Sequence, residues 1–188
     1  MFNFNFYTPT RVVFGKETEY RIGKLVKNVN CKKVLLHYGS GSVIRSGLLG
    51  RIKESLDASG VTYVELGGVV PNPRLSLVRE GIELCRKEGV DFLLAVGGGS
   101  VIDTAKAIGV IITNPEFEDV RSLAGVAPTK NPCVPIIAVP TTAGTAAEVT
   151  INYVITDTEK NRKMVCVDVH DIPVVAVVDP EMMASMPK

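Results

Sequence analysis

Tryptophan is absent from this 188-residue sequence, and histidine occurs only twice, at His37 and His170. A catalytic metal centre requires about three protein ligands and an open position. Two histidines in unrelated segments do not supply one. In Asp168-Val-His170-Asp171, strand alternation would put Asp168 and His170 on one face and Asp171 on the other, so no metal ligand is assigned. An excess of either charge is also missing, since 21 Lys and Arg stand against 20 Asp and Glu, for a net charge of +1. Without a basic footprint, neither nucleic acid nor an anionic membrane surface is an expected partner. No apolar run approaches the roughly 20 residues of a membrane span. The opening Met-Phe-Asn-Phe-Asn-Phe-Tyr lacks the basic start and apolar stretch of a signal peptide, so a cytoplasmic location is expected. Cys31, Cys85, Cys133 and Cys166 form no C-x-x-C pair and have no metal-finger spacing. They read as buried, reduced thiols.

What is present suffices for one domain spanning residues 1–188: hydrophobic residues make up 46% and charged residues 22%, ordinary for a globular fold. Strands are predicted at 12–14, 33–37, 61–66 and 92–96. Helices are predicted at 17–28, 43–58, 75–88 and from residue 100, where Val101, Ala105, Ile108 and Ile112 recur at helical spacing. This alternation implies an α/β fold, a Rossmann-like parallel sheet with flanking helices. Four further strand-like runs, at 134–139, 149–155, 164–167 and 174–178, leave little room for helices, so the second half reads as richer in β structure.

Binding sites in such folds gather at the carboxyl ends of parallel strands. Three loops take that position, each behind an apolar strand. In the middle one, Gly97, Gly98 and Gly99 let backbone N–H groups approach a ligand, and the helix start adds unpaired donors and the positive end of a dipole. Ser100 and Asp103 have capping-box spacing. The segment suits a diphosphate, or is a tight turn holding nothing. It is neither G-x-G-x-x-G, because Asp103 replaces the last glycine, nor a Walker loop. In the last loop, Thr141, Thr142 and Thr145 offer hydroxyls to a phosphate or amide, or cap their own turn. The first loop, Gly39, Ser40, Gly41 and Ser42, has no carboxylate nearby to bind the 2′-hydroxyl of NAD. Its serines, with Arg45 one turn on, would tolerate a 2′-phosphate. Arg45 reads equally as a solvated charge.

Gly-Gly-Gly-Ser-Val-Ile-Asp-Thr-Ala-Lys-Ala-Ile (97–108) and Pro-Thr-Thr-Ala-Gly-Thr-Ala-Ala-Glu-Val-Thr (140–150) resemble the iron-containing (group III) alcohol dehydrogenases. The likeness covers essentially the whole chain and is to their N-terminal, dehydroquinate synthase-like nucleotide-binding domain. Residues 1–109 resemble the butanol dehydrogenase branch. The segments Asn-Pro-Glu-Phe-Glu-Asp-Val-Arg-Ser-Leu and Thr-Ile-Asn-Tyr-Val-Ile-Thr-Asp resemble lactaldehyde (propanediol) reductases.

The resemblance implies NADP or NAD as cofactor. It puts Gly98, Gly99 and Ser100 on the pyrophosphate with Asp103 beside them. It sets Thr141, Thr142 and Thr145 against adenosine and phosphate, Asn72 in the adenine-side cleft and Lys163 at a cofactor ribose. The loop from Gly39 to Ser42 falls at the 2′ position, where the lactaldehyde-reductase branch commonly has Asp. It also implies a small alcohol or aldehyde substrate. The family's Fe2+ (or Zn2+) is held by one Asp and three His of a helical domain beyond Asp179-Pro180, with no counterpart in these residues. No catalytic residue is therefore assigned here, and the chain alone is expected to be inactive. The alternatives are a non-catalytic nucleotide-binding or partner-dependent module, whose uncovered apolar face would favour a homodimer, and a glycerol dehydrogenase-like or dehydroquinate synthase-like domain.

Overall fold

The computed structural model describes residue 3, residues 7–184 and residue 186; the opening segment read for a signal peptide lies mostly outside them. Strand β1 (Arg11–Phe14) leads through a 3-10 turn into helix α1 (Ile22–Lys27). Strand β2 (Val34–Gly39) is followed by helices α2 (Ser42–Arg45) and α3 (Leu48–Ala58). Then come β3 (Tyr63–Val69), α4 (Leu75–Glu88), β4 (Phe92–Gly97) and α5 (Gly99–Thr113). The remainder holds β5 (Gly125–Val126), β6 (Ile136–Pro140), β7 (Asn152–Asp157), β8 (Arg162–Val167) and β9 (Val175–Val178).

Six strands form one sheet in the order β1-β9-β6-β4-β2-β3, and every neighbouring pair is parallel. A parallel sheet is covered on both faces, which is why its strands read as continuous apolar runs. Val34, Leu36, Phe92, Leu94, Val96 and Val139 pack with α1–α3, whereas Leu35, Leu93, Ala95 and Ala138 pack with α4 and α5. Phe92 is fully buried. Phe92→Ala is expected to lower the unfolding free energy by about 3–5 kcal/mol, the usual cost of emptying such a site, read as a shifted urea midpoint at unchanged slope.

The α/β expectation holds, and the differences have physical causes. Segment 17–28 opens as a 3-10 turn before α1. Segment 43–58 is two helices, because Gly47 between them has φ +73°, a left-handed conformation that ends one helix before the next begins. Apolar spacing does not register such a break. Of the four strand-like runs in the second half, β6 and β9 join the parallel sheet. The antiparallel pair β7 and β8 builds a separate small sheet with β5, a two-residue strand without a sequence signal. The capping box is not formed. Gly98 is the residue preceding α5 and no side chain caps it; the Asp103 carboxylate instead accepts the Val154 N–H at 3.0 Å.

Candidate functional site

Strands β2, β4 and β6 are adjacent. From β2 the chain moves outward to β3, then returns to β4 on the other side of β2. That reversal opens a crevice at the strands' carboxyl ends. All three loops singled out in the sequence meet there.

Helix α5 starts at Gly99, and its first N–H groups have no acceptor within the helix. They point outward with the dipole's positive end, as an anion requires. The threonine loop is seated directly against this turn. The Thr141 N–H donates to the Gly97 carbonyl at 3.0 Å. A Cβ on Gly98 would lie 3.2 Å from Thr142 Oγ1, and one on Gly99 would lie 2.7 Å from Thr145 Oγ1. Glycine at these two positions therefore leaves the gap in which threonine hydroxyls and helix N–H groups converge. Ser100 lies within the first turn of α5, partly exposed.

In the first loop, Ser40 and Ser42 are exposed. The Arg45 guanidinium folds back over the loop, with one nitrogen 2.8 Å from where a Gly41 Cβ would be. The Tyr38 hydroxyl donates to Glu65 at 3.0 Å. Beside these loops, on the α1–α3 face, is a cavity of about 660 Å³ whose walls include Tyr20, Ser42, Arg51, Thr141, Thr142 and Met182. Two of its acidic groups are engaged. Glu19 pairs with Arg51 Nε at 2.9 Å, and Asp179 accepts the N–H groups of Glu17 and Glu181 at 2.7 and 2.8 Å. Tyr20, Arg51 and Met182 were not legible as site residues, because they come from distant segments that only the sheet order brings together.

Asn72 and Lys163 do not line that cavity. Asn72 sits in a turn at φ +61°, followed by Pro73, whose carbonyl accepts the Thr156 N–H at 2.7 Å. Thr156 is paired with Lys163 across β7 and β8. Both residues thus lie on the α4–α5 side of the crevice. Asp103 is beside the glycine turn, and burial pushes its carboxyl up to about 6.

Residues 168–171 continue beyond β8 as a turn, not as alternating strand. Thr129 Oγ1 donates to Asp168 at 2.8 Å and lies 2.9 Å from His170 Nδ1, so this group is tied up internally. No group of three His, Cys, Asp or Glu among the described residues is placed to hold a metal ion. The four cysteines are unpaired; Cys85, Cys133 and Cys166 are buried as expected, whereas Cys31 is only half-buried. Burial pushes the Cys85 and Cys166 thiols up to about 12, which leaves them unreactive. No described helix is long and apolar enough to cross a membrane.

The family model for iron-containing alcohol dehydrogenase matches residues 9–180. Lactaldehyde reductase of Escherichia coli (strain K12) is 51% identical over 174 residues, which is 93% of this chain and 45% of that protein. The likeness runs through both halves of the sequence, and the chain spans about half the length of the curated relatives it matches. Among solved structures, NADH-dependent butanol dehydrogenase A from Thermotoga maritima superposes with a TM-score of 0.92 at 37% identity, over 98% of this chain and 46% of that one. Sulfoacetaldehyde reductase from Bifidobacterium kashiwanohense, in complex with NAD+, superposes with a TM-score of 0.88 at 28% identity, over 100% of this chain and 49% of that one. With the parallel sheet, the crevice at its switch point and a match over nearly its whole length, the chain belongs to the iron-containing alcohol dehydrogenase family.

Proposed function

We propose that this chain binds NADP or NAD across its crevice and presents the nicotinamide to a small alcohol, diol or aldehyde. The carrying observation is the contact between the glycine turn and the threonine loop, two donor sets that converge where a diphosphate fits. Gly99 and Ser100 offer main-chain N–H groups, and Thr142 and Thr145 offer hydroxyls beside them. The cavity on the α1–α3 face receives the adenosine half. Asn72, expected in the adenine-side cleft, lies with Lys163 on the opposite side from that cavity; we therefore move Asn72 to the nicotinamide half and keep Lys163 at a cofactor ribose, so that the dinucleotide crosses over the sheet edge at the glycine turn. When bound, the nicotinamide supplies hydride transfer to or from the substrate carbon. The chain's own residues bind and orient it.

The iron that gives the family its name has no ligand set among the described residues. The purified 188-residue polypeptide is therefore expected to bind cofactor without appreciable turnover. An assay of propanediol and butanol oxidation with added Fe2+ or Zn2+ checks this, and metal-dependent turnover would overturn it.

The absence of a carboxylate in the first loop, with Arg45 folded over Gly41, supports acceptance of a 2′-phosphate. NADPH is expected to bind at least as tightly as NADH, and Arg45→Ala to weaken NADPH selectively by about 5- to 10-fold, the loss of one exposed charge-assisted contact. Parallel fluorescence titrations read both, and tighter binding of NADH by the wild-type chain would contradict this assignment.

A further inference from the structure

Lys106 is the anomalous residue of α5. It stands between Ala105 and Ala107, in the midst of apolar side chains, and is fully buried. Its ammonium donates to two main-chain carbonyls, those of Thr150 and, at 3.1 Å, Asn152. Its counter-charge, Asp171 Oδ1, is 3.7 Å away. One turn earlier, Asp103 accepts the Val154 N–H from the same segment at 3.0 Å. Two side chains of α5 therefore grip three main-chain groups between residues 150 and 154.

The gripped segment runs back to the threonine loop. At that loop's near end, Thr142 and Thr145 are seated on Gly98 and Gly99. Between the two attachments, Ala146 is held at φ +54° and ψ +30°, left-handed and strained for a residue with a side chain. Such strain persists only where surrounding contacts over-determine the conformation. Stability alone gives little reason for the lysine. Apolar residues of similar volume often replace a buried ion pair at no loss. What a buried ammonium adds is direction, because its donors fix where particular carbonyls must lie.

We propose that Lys106, assisted by Asp103, is a positioning residue for the cofactor. It holds residues 141–150 in the conformation that keeps the threonine hydroxyls beside the glycine turn. This rests on the cofactor reading above, because the threonines matter to binding only if the turn receives a diphosphate. Burial lowers the Lys106 pKa from its ordinary value, and Asp171 is the chief group opposing that; the clasp itself rests on the carbonyl contacts.

The test uses the full chain and four variants: Lys106→Met, Asp103→Ala, Asp103→Asn and, as a core control of comparable destabilisation away from the loop, Val78→Ala. Amide hydrogen exchange is followed over residues 143–149 without cofactor, and NADPH affinity is measured separately by fluorescence. Lys106→Met is expected to speed exchange in 143–149 at least about 10-fold relative to β2 and β4, a local opening. It is also expected to weaken NADPH about 10-fold beyond any change in Val78→Ala, while Asp103→Asn, which keeps an acceptor for Val154, loses less than Asp103→Ala. If Lys106→Met does not fold, Asp103→Ala decides alone, with the same signs. Unchanged exchange in 143–149, or an affinity loss no larger than the control's, overturns the proposal. The exchange arm needs no ligand, so a wild-type chain that fails to bind NADPH would sink the cofactor reading and leave the clasp separately tested.

Discussion

Gly99→Val is expected to weaken NADPH and NADH binding at least about 100-fold, equivalent to about 2.7 kcal/mol, while leaving the far-UV circular dichroism unchanged. A Cβ at this position would lie 2.7 Å from Thr145 Oγ1 and 3.4 Å from its Cγ2. Separations below 3.0 Å are not sustained, and valine adds two methyl groups beyond the Cβ. The Thr145 side chain rotates, the threonine loop lifts or the start of α5 turns away. Each of these movements takes donors off the diphosphate, and each charge-assisted hydrogen bond contributes roughly 1.5–3 kcal/mol. Two such bonds exceed the predicted loss. The helix itself survives, because valine is no worse than glycine within a helix. Gly50→Ala is the matched control, since a Cβ there meets nothing within 4 Å and the residue is exposed on α3 and does not line the cavity. It is expected to leave both dissociation constants as they are. If Gly99→Val bound NADPH like the wild type, the glycine turn would not be the phosphate site.

The second large effect is on acid stability. His37 lies fully buried in β2, with Nδ1 2.8 Å from the Leu66 carbonyl oxygen. Nδ1 therefore carries the hydrogen, and Nε2, which is buried without a partner, is bare. Protonation would place a charge and a new donor where nothing receives them. Burial accordingly lowers the ring's pKa from 6.5 to about 4, against the smaller opposing effect of the Leu66 bond. The unfolded chain takes up this proton first, so stability is lost as pH falls from about 6.5 and continues to fall until the folded ring titrates near 4. The full loss is about 3 kcal/mol. Asp103 acts with the opposite sign. Burial raises it to about 6, so its uptake of a proton stabilises the fold as pH drops. The His37 contribution is isolated by difference. His37→Asn keeps a donor for Leu66 but cannot be protonated, and its unfolding free energy should lack the loss over this range. Parallel acid slopes for wild type and variant in urea titrations would show that the imidazole is not the responsible group.

The parallel sheet and its site loops were legible because the central strands β2, β4 and β6 are apolar runs and the loop after each breaks that run with glycine, serine or threonine. The apolar runs marked β2, β4 and β6, and the small residues after them marked the crevice. The cavity wall was not legible: Tyr20, Arg51 and Met182 meet only through the order in which β1, β9 and β6 pair, which no local pattern encodes. Capping-box spacing at Ser100 and Asp103 misled, because Gly98 already ends the extended chain and Asp103 finds a stronger partner in the main chain of β7. Alternation misled again at 168–171, where a turn held by Thr129 replaces strand. Lys106 did leave a trace, a lone charge inside an apolar helical run, but its destination on the carbonyls of Thr150 and Asn152 depends on a fold contact 44 residues away.

Titration of the 15N-labelled chain with NADP+ or NAD+ tests the central claim most directly, because it reports both whether the cofactor binds and where. The amides of residues 97–101 and 141–146 should show the largest chemical-shift changes, with smaller ones along the cavity wall near Ser42 and Met182. A folded chain whose spectrum does not change would contradict the account. So would shifts centred instead on the separate hollow of about 190 Å³ lined by Gly68, Val70, Arg74, Ser76, Leu77 and Glu80.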